Sequence, residues 1–282
     1  MSRIRFGVLG GDFRYKLLYN LLKENGYSVV SYCNRFLDSE YSDIEGFLEN
    51  SDVIIGPIPT SRDNKKLALS DCEDIEIEYI FEQMFRKNIN IYIGGVIGRS
   101  VKKIAEARGI RAYDFFEMEE VAVKNAIPTA EGAIQTAMQE SIRTLFGSKV
   151  LVLGYGRCGK ILSNMLKGIG ADVAVTYRNE RDNAYIKAYG YKAINLSEIK
   201  SYIADFDFVF NTIPAEILNN QVLKKMNRST IIIDLAQAPG GTSFNYARDL
   251  NIKALYCPGL PGRVAPYTAA EILKEAVLNI CV

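Results

Sequence analysis

Glycines 154, 156 and 159 stand in the spacing G-x-G-x-x-G, inside Val150-Leu-Val-Leu-Gly-Tyr-Gly-Arg-Cys-Gly-Lys160. That spacing suits the pyrophosphate of a dinucleotide. The first glycine permits a tight turn, the second lets the backbone approach the phosphates, and the third lets a helix pack closely on a strand. The phosphates then rest on N–H groups at the positive end of the helix. The flanks agree with this order. Residues 150–153 read as a buried strand, and Ile161, Leu162, Met165, Leu166 and Ile169 recur at helical spacing. Gly154, Tyr155, Gly156, Arg157, Cys158 and Gly159 are therefore the expected cofactor loop.

A second strand is expected over 172–177, and its end selects the cofactor. An acidic residue there would accept hydrogen bonds from the ribose 2′-OH of NAD, whereas arginine suits the 2′-phosphate of NADP. The sequence has Arg178 and Asn179 there, Arg181 close behind, and no carboxylate before Glu180. NADP is the expected cofactor, with NAD the alternative. Asn211, Thr212, Ile213 and Pro214 follow another strand and are expected to wall the nicotinamide, the last three as cofactor-binding residues.

Composition narrows the chemistry further. A net charge of +1 with no long basic run argues against a nucleic-acid footprint. No apolar run reaches membrane-spanning length, and the N-terminal stretch has no long apolar signal core. The five cysteines (Cys33, Cys72, Cys158, Cys257 and Cys281) include no C-x-x-C. They are expected as reduced, packed thiols in a cytosol, with no metal site. Histidine is absent, so an acid or base must be a carboxylate, Lys, Tyr, Cys or water.

These residues need elements to hold them. Strands are expected over 5–9, 27–32, 52–59 and 89–94, alternating with helices. A second set follows over 150–153, 172–177, 207–214, 230–236 and 254–257. The fold class is α/β: two Rossmann-like open parallel-sheet domains with a cleft between them, joined by crossing helices. Residues 1–128 with the C-terminal helix 267–282 form the expected first domain, and 129–266 the expected cofactor domain. A helix should open at Pro128, N-capped by Thr129, and end at Gly147. The turn Gly10-Gly-Asp-Phe-Arg14 imitates the glycine loop without its register, and Asp12 would repel a pyrophosphate. The first domain therefore reads as the substrate side.

The segments 127–133 (Ile-Pro-Thr-Ala-Glu-Gly-Ala), 233–236 (Ile-Asp-Leu-Ala) with Pro239-Gly-Gly241, and 259–266 (Gly-Leu-Pro-Gly-Arg-Val-Ala-Pro) complete a pattern. With the glycine loop, they resemble the dipicolinate synthase A subunit family over nearly the whole chain. Tyr267 departs from the lysine expected there. The resemblance implies oxidation of a dihydrodipicolinate-type precursor to pyridine-2,6-dicarboxylate, with hydride passing to NADP or NAD. It further implies that the partner is a flavoprotein-like B subunit, and that the location is the cytoplasm of the mother cell in a sporulating bacterium. A homo-oligomer is the expected state. A small dicarboxylate substrate calls for cations. Arg263 is the first candidate, on a Gly/Pro-fixed loop after a strand, followed by Arg14 and Arg62 beyond strand ends of the first domain. Glu131, at the start of the inter-domain helix, and Asp12 are the candidate proton acceptors, though Glu131 could instead stabilise a helix N-terminus and Asp12 could pair with Arg14. Asp234 could satisfy neighbouring N–H groups. A non-catalytic NAD(P)-binding regulatory protein is the alternative from another class. A D-2-hydroxyacid dehydrogenase-like enzyme ranks lower, because such enzymes normally use a histidine.

Overall fold

Near-continuous apolar strands of a parallel sheet require cover on both faces, and helices following each strand supply it. The computed structural model describes residues 4–37, 41, 43–69 and 72–281. The chain divides into two compact units, residues 1–124 with 265–282, and residues 125–264.

The first unit holds β1 (Arg5–Leu9), β2 (Ser28–Tyr32), β3 (Val53–Ile55), β4 (Ile91–Gly94) and β5 (Arg111–Asp114). All pair in parallel, in the order β2-β1-β3-β4-β5. Strand alternation sorts the core into two layers. Phe6 and Val8 pack on Tyr15, Leu18 and Leu22 of the helix Phe13–Glu24, and on Ala270, Leu273 and Val277 of the helix Pro266–Cys281. Leu9 and Ile54 face the other way, onto Phe47, Ile80, Phe81, Met84 and Val101.

The second unit carries β6 (Lys149–Leu153), β7 (Asp172–Tyr177), β8 (Lys192–Asn195), β9 (Phe208–Asn211), β10 (Ile231–Asp234) and β11 (Lys253–Tyr256). Their parallel order is β11-β10-β9-β6-β7-β8. Val150, Val152, Phe208 and Phe210 pack under Leu162 and Leu166 on one face, together with Ala130, Ala133 and Ala137. Leu151, Leu153, Val209 and Ile232 pack against Ile199, Val222 and Leu223 on the other. The chain leaves β6 toward β7 on one side and returns at β9 on the other. Strand order therefore reverses between β6 and β9, and a crevice opens at their carboxyl ends.

Several expectations change. The edge strands β5 and β8 are additional; each has only four residues with a partly exposed face, too short to show a period. The helix expected from Pro128 begins earlier, spanning Glu119–Glu140 with Pro128 inside it. Proline has no N–H, so the bond from residue 128 to the Lys124 carbonyl cannot form. The unit boundary, between Lys124 and Asn125, lies at that interruption. Thr129 is not an N-cap: its hydroxyl donates to the Asn125 carbonyl at 2.8 Å, within the helix. No helix among the described residues is long and apolar enough to cross a membrane.

The expectation of five reduced thiols is corrected too, because Cys33 and Cys72 form a disulfide across a separation of 39 residues. It ties the end of β2 to the loop following β3. Closing a loop of that length removes chain entropy worth about 3–4 kcal/mol in the unfolded state. Thermal unfolding with and without a thiol reductant should show a drop in Tm on reduction. The same drop should appear without reductant in Cys72→Ser, and an unchanged Tm in both would contradict the bond.

Candidate functional site

The glycine loop begins where β6 ends. Gly154 adopts φ +96°, and a Cβ on it would lie 2.7 Å from Thr212 Oγ1. Its N–H donates to Thr176 Oγ1 at 2.9 Å, which ties the loop to the end of β7. A Cβ on Gly159 would lie 2.1 Å from the Gly154 carbonyl oxygen, so only glycine lets the helix approach the strand this closely. A Cβ on Gly156 would meet nothing within 4 Å. That position opens onto empty space, and no side chain caps the helix Arg157–Ile169 that starts beside it. A backbone open at one glycine, followed by an uncapped helix start, fits a bound pyrophosphate.

A cavity of about 310 Å³ lies there. It brings together Gly154, Tyr155, Gly156, Arg178, Asn179, Thr212, Ile213 and Pro214 from the expected set. Arg157, Cys158 and Gly159 form the first turn of the helix behind it. The Tyr155 ring is buried in the core, and burial pushes its phenol up to about 12. Burial also pushes the Cys158 thiol up to about 11, which leaves it unreactive near neutral pH.

Arg178 and Asn179 are both exposed. The Asn179 carboxamide caps the next helix by accepting the Asp182 N–H at 2.8 Å, and donates to the Asp182 carboxylate at 2.9 Å. Asp182 is therefore held facing the cavity, an acid that the expected cofactor set does not include. The helix phase carries the signal: Asp182 follows its Asn cap by three residues, at N3, on the side of the helix start. Leu196 and Thr176 also line the cavity and were not expected. Arg178 borders a second cavity as well, of about 460 Å³, with Ser197, Lys200 and Asn219.

In the first unit, Asp12 and Arg14 pair with each other, Nη2 to Oδ2 at 2.7 Å and Nε to Oδ1 at 2.9 Å. Burial of Arg14 works against its charge, but the Asp12 hydrogen bond and charge outweigh this and raise its pKa. Asp12 also accepts the Arg14 N–H and caps the helix Phe13–Glu24, so a carboxylate already occupies this unit's counterpart of the phosphate position. Arg62 is exposed on a loop braced by Asp63, whose carboxylate accepts the N–H groups of Lys65 and Lys66 at 2.8 and 2.9 Å. Those two bonds hold the Asp63 carboxyl at about 2.

Arg263 lies on a short helix, Leu260–Val264, not on the loop expected from its Gly/Pro surroundings. Glu131 is exposed in the middle of the helix Glu119–Glu140. It therefore stabilises no helix N-terminus, which corrects the alternative role expected of it. Neither forms an ion pair among the described residues, and neither lines the glycine-loop cavity. Gly132, next to Glu131, packs on Leu260 and Val264 at 3.0–3.2 Å from its ideal Cβ, so the two helices meet there. Asp234 is completely buried and accepts four hydrogen bonds, two of them from the backbone N–H groups of Ala236 and Gly241.

Comparison with known proteins bears on both units. Residues 5–116 match the profile of the N-terminal domain of the dipicolinate synthase A subunit. Residues 122–240 match that of the D-isomer specific 2-hydroxyacid dehydrogenase, NAD binding domain. The dipicolinate synthase A subunit of Bacillus subtilis (strain 168) is 41% identical over 190 residues, a match spanning 67% of this chain and 64% of that protein. The crystal structure of the dipicolinate synthase A subunit from Bacillus halodurans is 30% identical, with a TM-score of 0.87 over 98% of this chain and 97% of that one. The chain belongs to the dipicolinate synthase A subunit family. The corresponding Bacillus subtilis structure agrees, at 31% identity and a TM-score of 0.87 over 99% and 96% of the two chains. As a member of this family, the chain carries its dehydrogenase-type dinucleotide domain in the second unit, where the cavity lies.

Proposed function

We propose that this chain oxidises a dihydrodipicolinate-type precursor to dipicolinate, with NADP preferred over NAD, alongside a B subunit. The observation that carries the reading is the cavity at the end of β6, open at Gly156 and flanked by Arg178. The pyrophosphate would rest on the backbone from Gly154 to Gly156 and the start of the following helix, and a 2′-phosphate would face the Arg178 guanidinium.

When bound, NADP supplies the hydride acceptor. The remaining tasks fall to the chain. Loss of hydride and one proton makes the substrate ring aromatic, so most of the driving force is intrinsic and the protein's work is orientation and proton removal. Arg263, which makes no ion pair among the described residues, would grip a substrate carboxylate in bidentate fashion. Arg62 is the candidate cation of the first unit. Arg14 is committed to Asp12, which favours Glu131 over Asp12 as the proton acceptor.

The test generates the dihydrodipicolinate precursor in situ and supplies this chain with NADP⁺ or NAD⁺, with and without the B subunit. Reduced cofactor and dipicolinate should appear in equal amounts. If neither appears in any combination while NADPH still binds, the account becomes that of a regulatory dinucleotide-binding protein.

A further inference from the structure

Asp234 ends β10 beside Asn211, which ends β9, and the two are partners in the parallel register. Both are completely buried. Oδ1 of Asp234 accepts the Asn211 carboxamide N–H at 3.0 Å and the Ala236 N–H at 3.1 Å. Oδ2 accepts the Gly241 N–H at 2.9 Å and the Thr242 hydroxyl at 2.6 Å. All four partners are donors, so the group fits as an acceptor on both oxygens.

The consequence lies two residues beyond Asn211. A carboxylate can only accept, so it obliges Asn211 to turn its NH₂ toward Asp234. That leaves the Asn211 carbonyl oxygen to accept the Ile213 N–H at 3.1 Å, while Nδ2 also donates to the Ile213 carbonyl at 3.2 Å. Ile213 is thus clasped at both its N–H and its carbonyl by one side chain whose orientation Asp234 sets. Gly241 presses on the same place: a Cβ there would lie 2.3 Å from Asn211 Nδ2 and 2.7 Å from the Ile213 carbonyl. Ile213 lines the cavity, and its Cγ1 is only 3.0 Å from where a Cβ on Gly154 would be. There is little slack before Ile213 enters the glycine turn.

We propose that Asp234 is a positioning residue for the dinucleotide site, acting through Asn211 to fix the Ile213–Pro214 wall. It touches no ligand itself, and the proposal rests on the reading of the cavity as a dinucleotide site. Asp234→Asn keeps the shape but sets an NH₂ against donors at one of the two oxygen positions, either Asn211 and Ala236 or Gly241 and Thr242, which loosens the network that holds Asn211.

The test compares Asp234→Asn with Thr230→Val in the full-length protein. Thr230 is buried just before the other end of β10, where its hydroxyl donates to the Phe206 carbonyl at 2.7 Å, so it reports loss of a buried hydrogen bond in the same sheet. Asp234→Asn should weaken NADPH binding at least tenfold and speed hydrogen exchange of the Ile213 amide at least a hundredfold. Thr230→Val should lower Tm while leaving both within twofold. Thr242→Val, a milder lesion at the same carboxylate, should weaken NADPH binding about threefold, with Thr242→Ser restoring it; this pair carries the test if Asp234→Asn does not fold. Unchanged Ile213 exchange in the variants at Asp234 and Thr242, or equal loss of binding in Thr230→Val, would overturn the proposal. If the unmodified protein binds neither NADPH nor NADH, the dinucleotide reading falls instead, and Ile213 exchange still decides whether Asp234 positions the wall.

Discussion

Gly156→Ala should weaken dinucleotide binding and keep its stability, whereas Gly159→Ala should weaken both. The backbone of Gly156, at φ −77° and ψ −166°, is open to any residue, and its added methyl would meet no protein atom within 4 Å. The cost in stability is therefore small, with Tm within about 4 °C of the parent. The methyl instead enters the space where phosphates would approach the backbone. Affinity should fall about tenfold to a hundredfold, about 1.4–2.8 kcal/mol. At Gly159 the same methyl would lie 2.1 Å from the Gly154 carbonyl oxygen. Backbone on both sides must shift, at about 1–3 kcal/mol in folding, and the turn that shapes the site moves with it. NADPH titration and thermal unfolding on both variants separate the two roles. Equal binding by Gly156→Ala and the parent would place the phosphates elsewhere.

The second large effect concerns which dinucleotide binds. Arg178→Ala should weaken NADPH binding about tenfold to a hundredfold and leave NADH within about threefold, because charge-assisted contacts to a phosphate contribute about 1.5–3 kcal/mol. The loss should shrink at high salt, since Arg178 is exposed and its field is screened. Asp182 works in the opposite direction. Its carboxylate lines the same cavity and disfavours a second negative charge, while it can accept from a ribose hydroxyl. Asp182→Asn should therefore tighten NADPH severalfold and weaken NADH. An Arg178→Ala variant that loses both cofactors equally would mean that the guanidinium contacts the shared part of the molecule.

Asp182 also marks the limit of what the sequence shows. The glycine loop was legible because three spaced glycines, an apolar strand and a helical stripe each impose a separate local requirement, and all three coincide between 150 and 169. Asp182 lies outside that pattern, and only the Asn179 cap turns it toward the cavity. The sheets were legible where strands are buried on both faces, as at Val150 to Leu153. They were not legible at β5 and β8, where four residues on an edge carry no period. Pro128 misled because proline at a helix start and proline inside a long helix look alike until the preceding turn is seen. The Cys33–Cys72 bond joins loops with no sequence relation, so composition could not reveal it. Arg14 looked available for a substrate, and the structure spends it on Asp12.

The central claim is that the crevice between β6 and β9 holds a nicotinamide dinucleotide. Titration of the purified protein with NADPH, followed by the enhanced fluorescence of the bound nucleotide, tests it most directly. One site per chain, weakened at least tenfold by Gly156→Ala and weaker for NADH, is the predicted result. Absence of saturable binding by either reduced dinucleotide, in a protein whose unfolding is cooperative, would contradict the account.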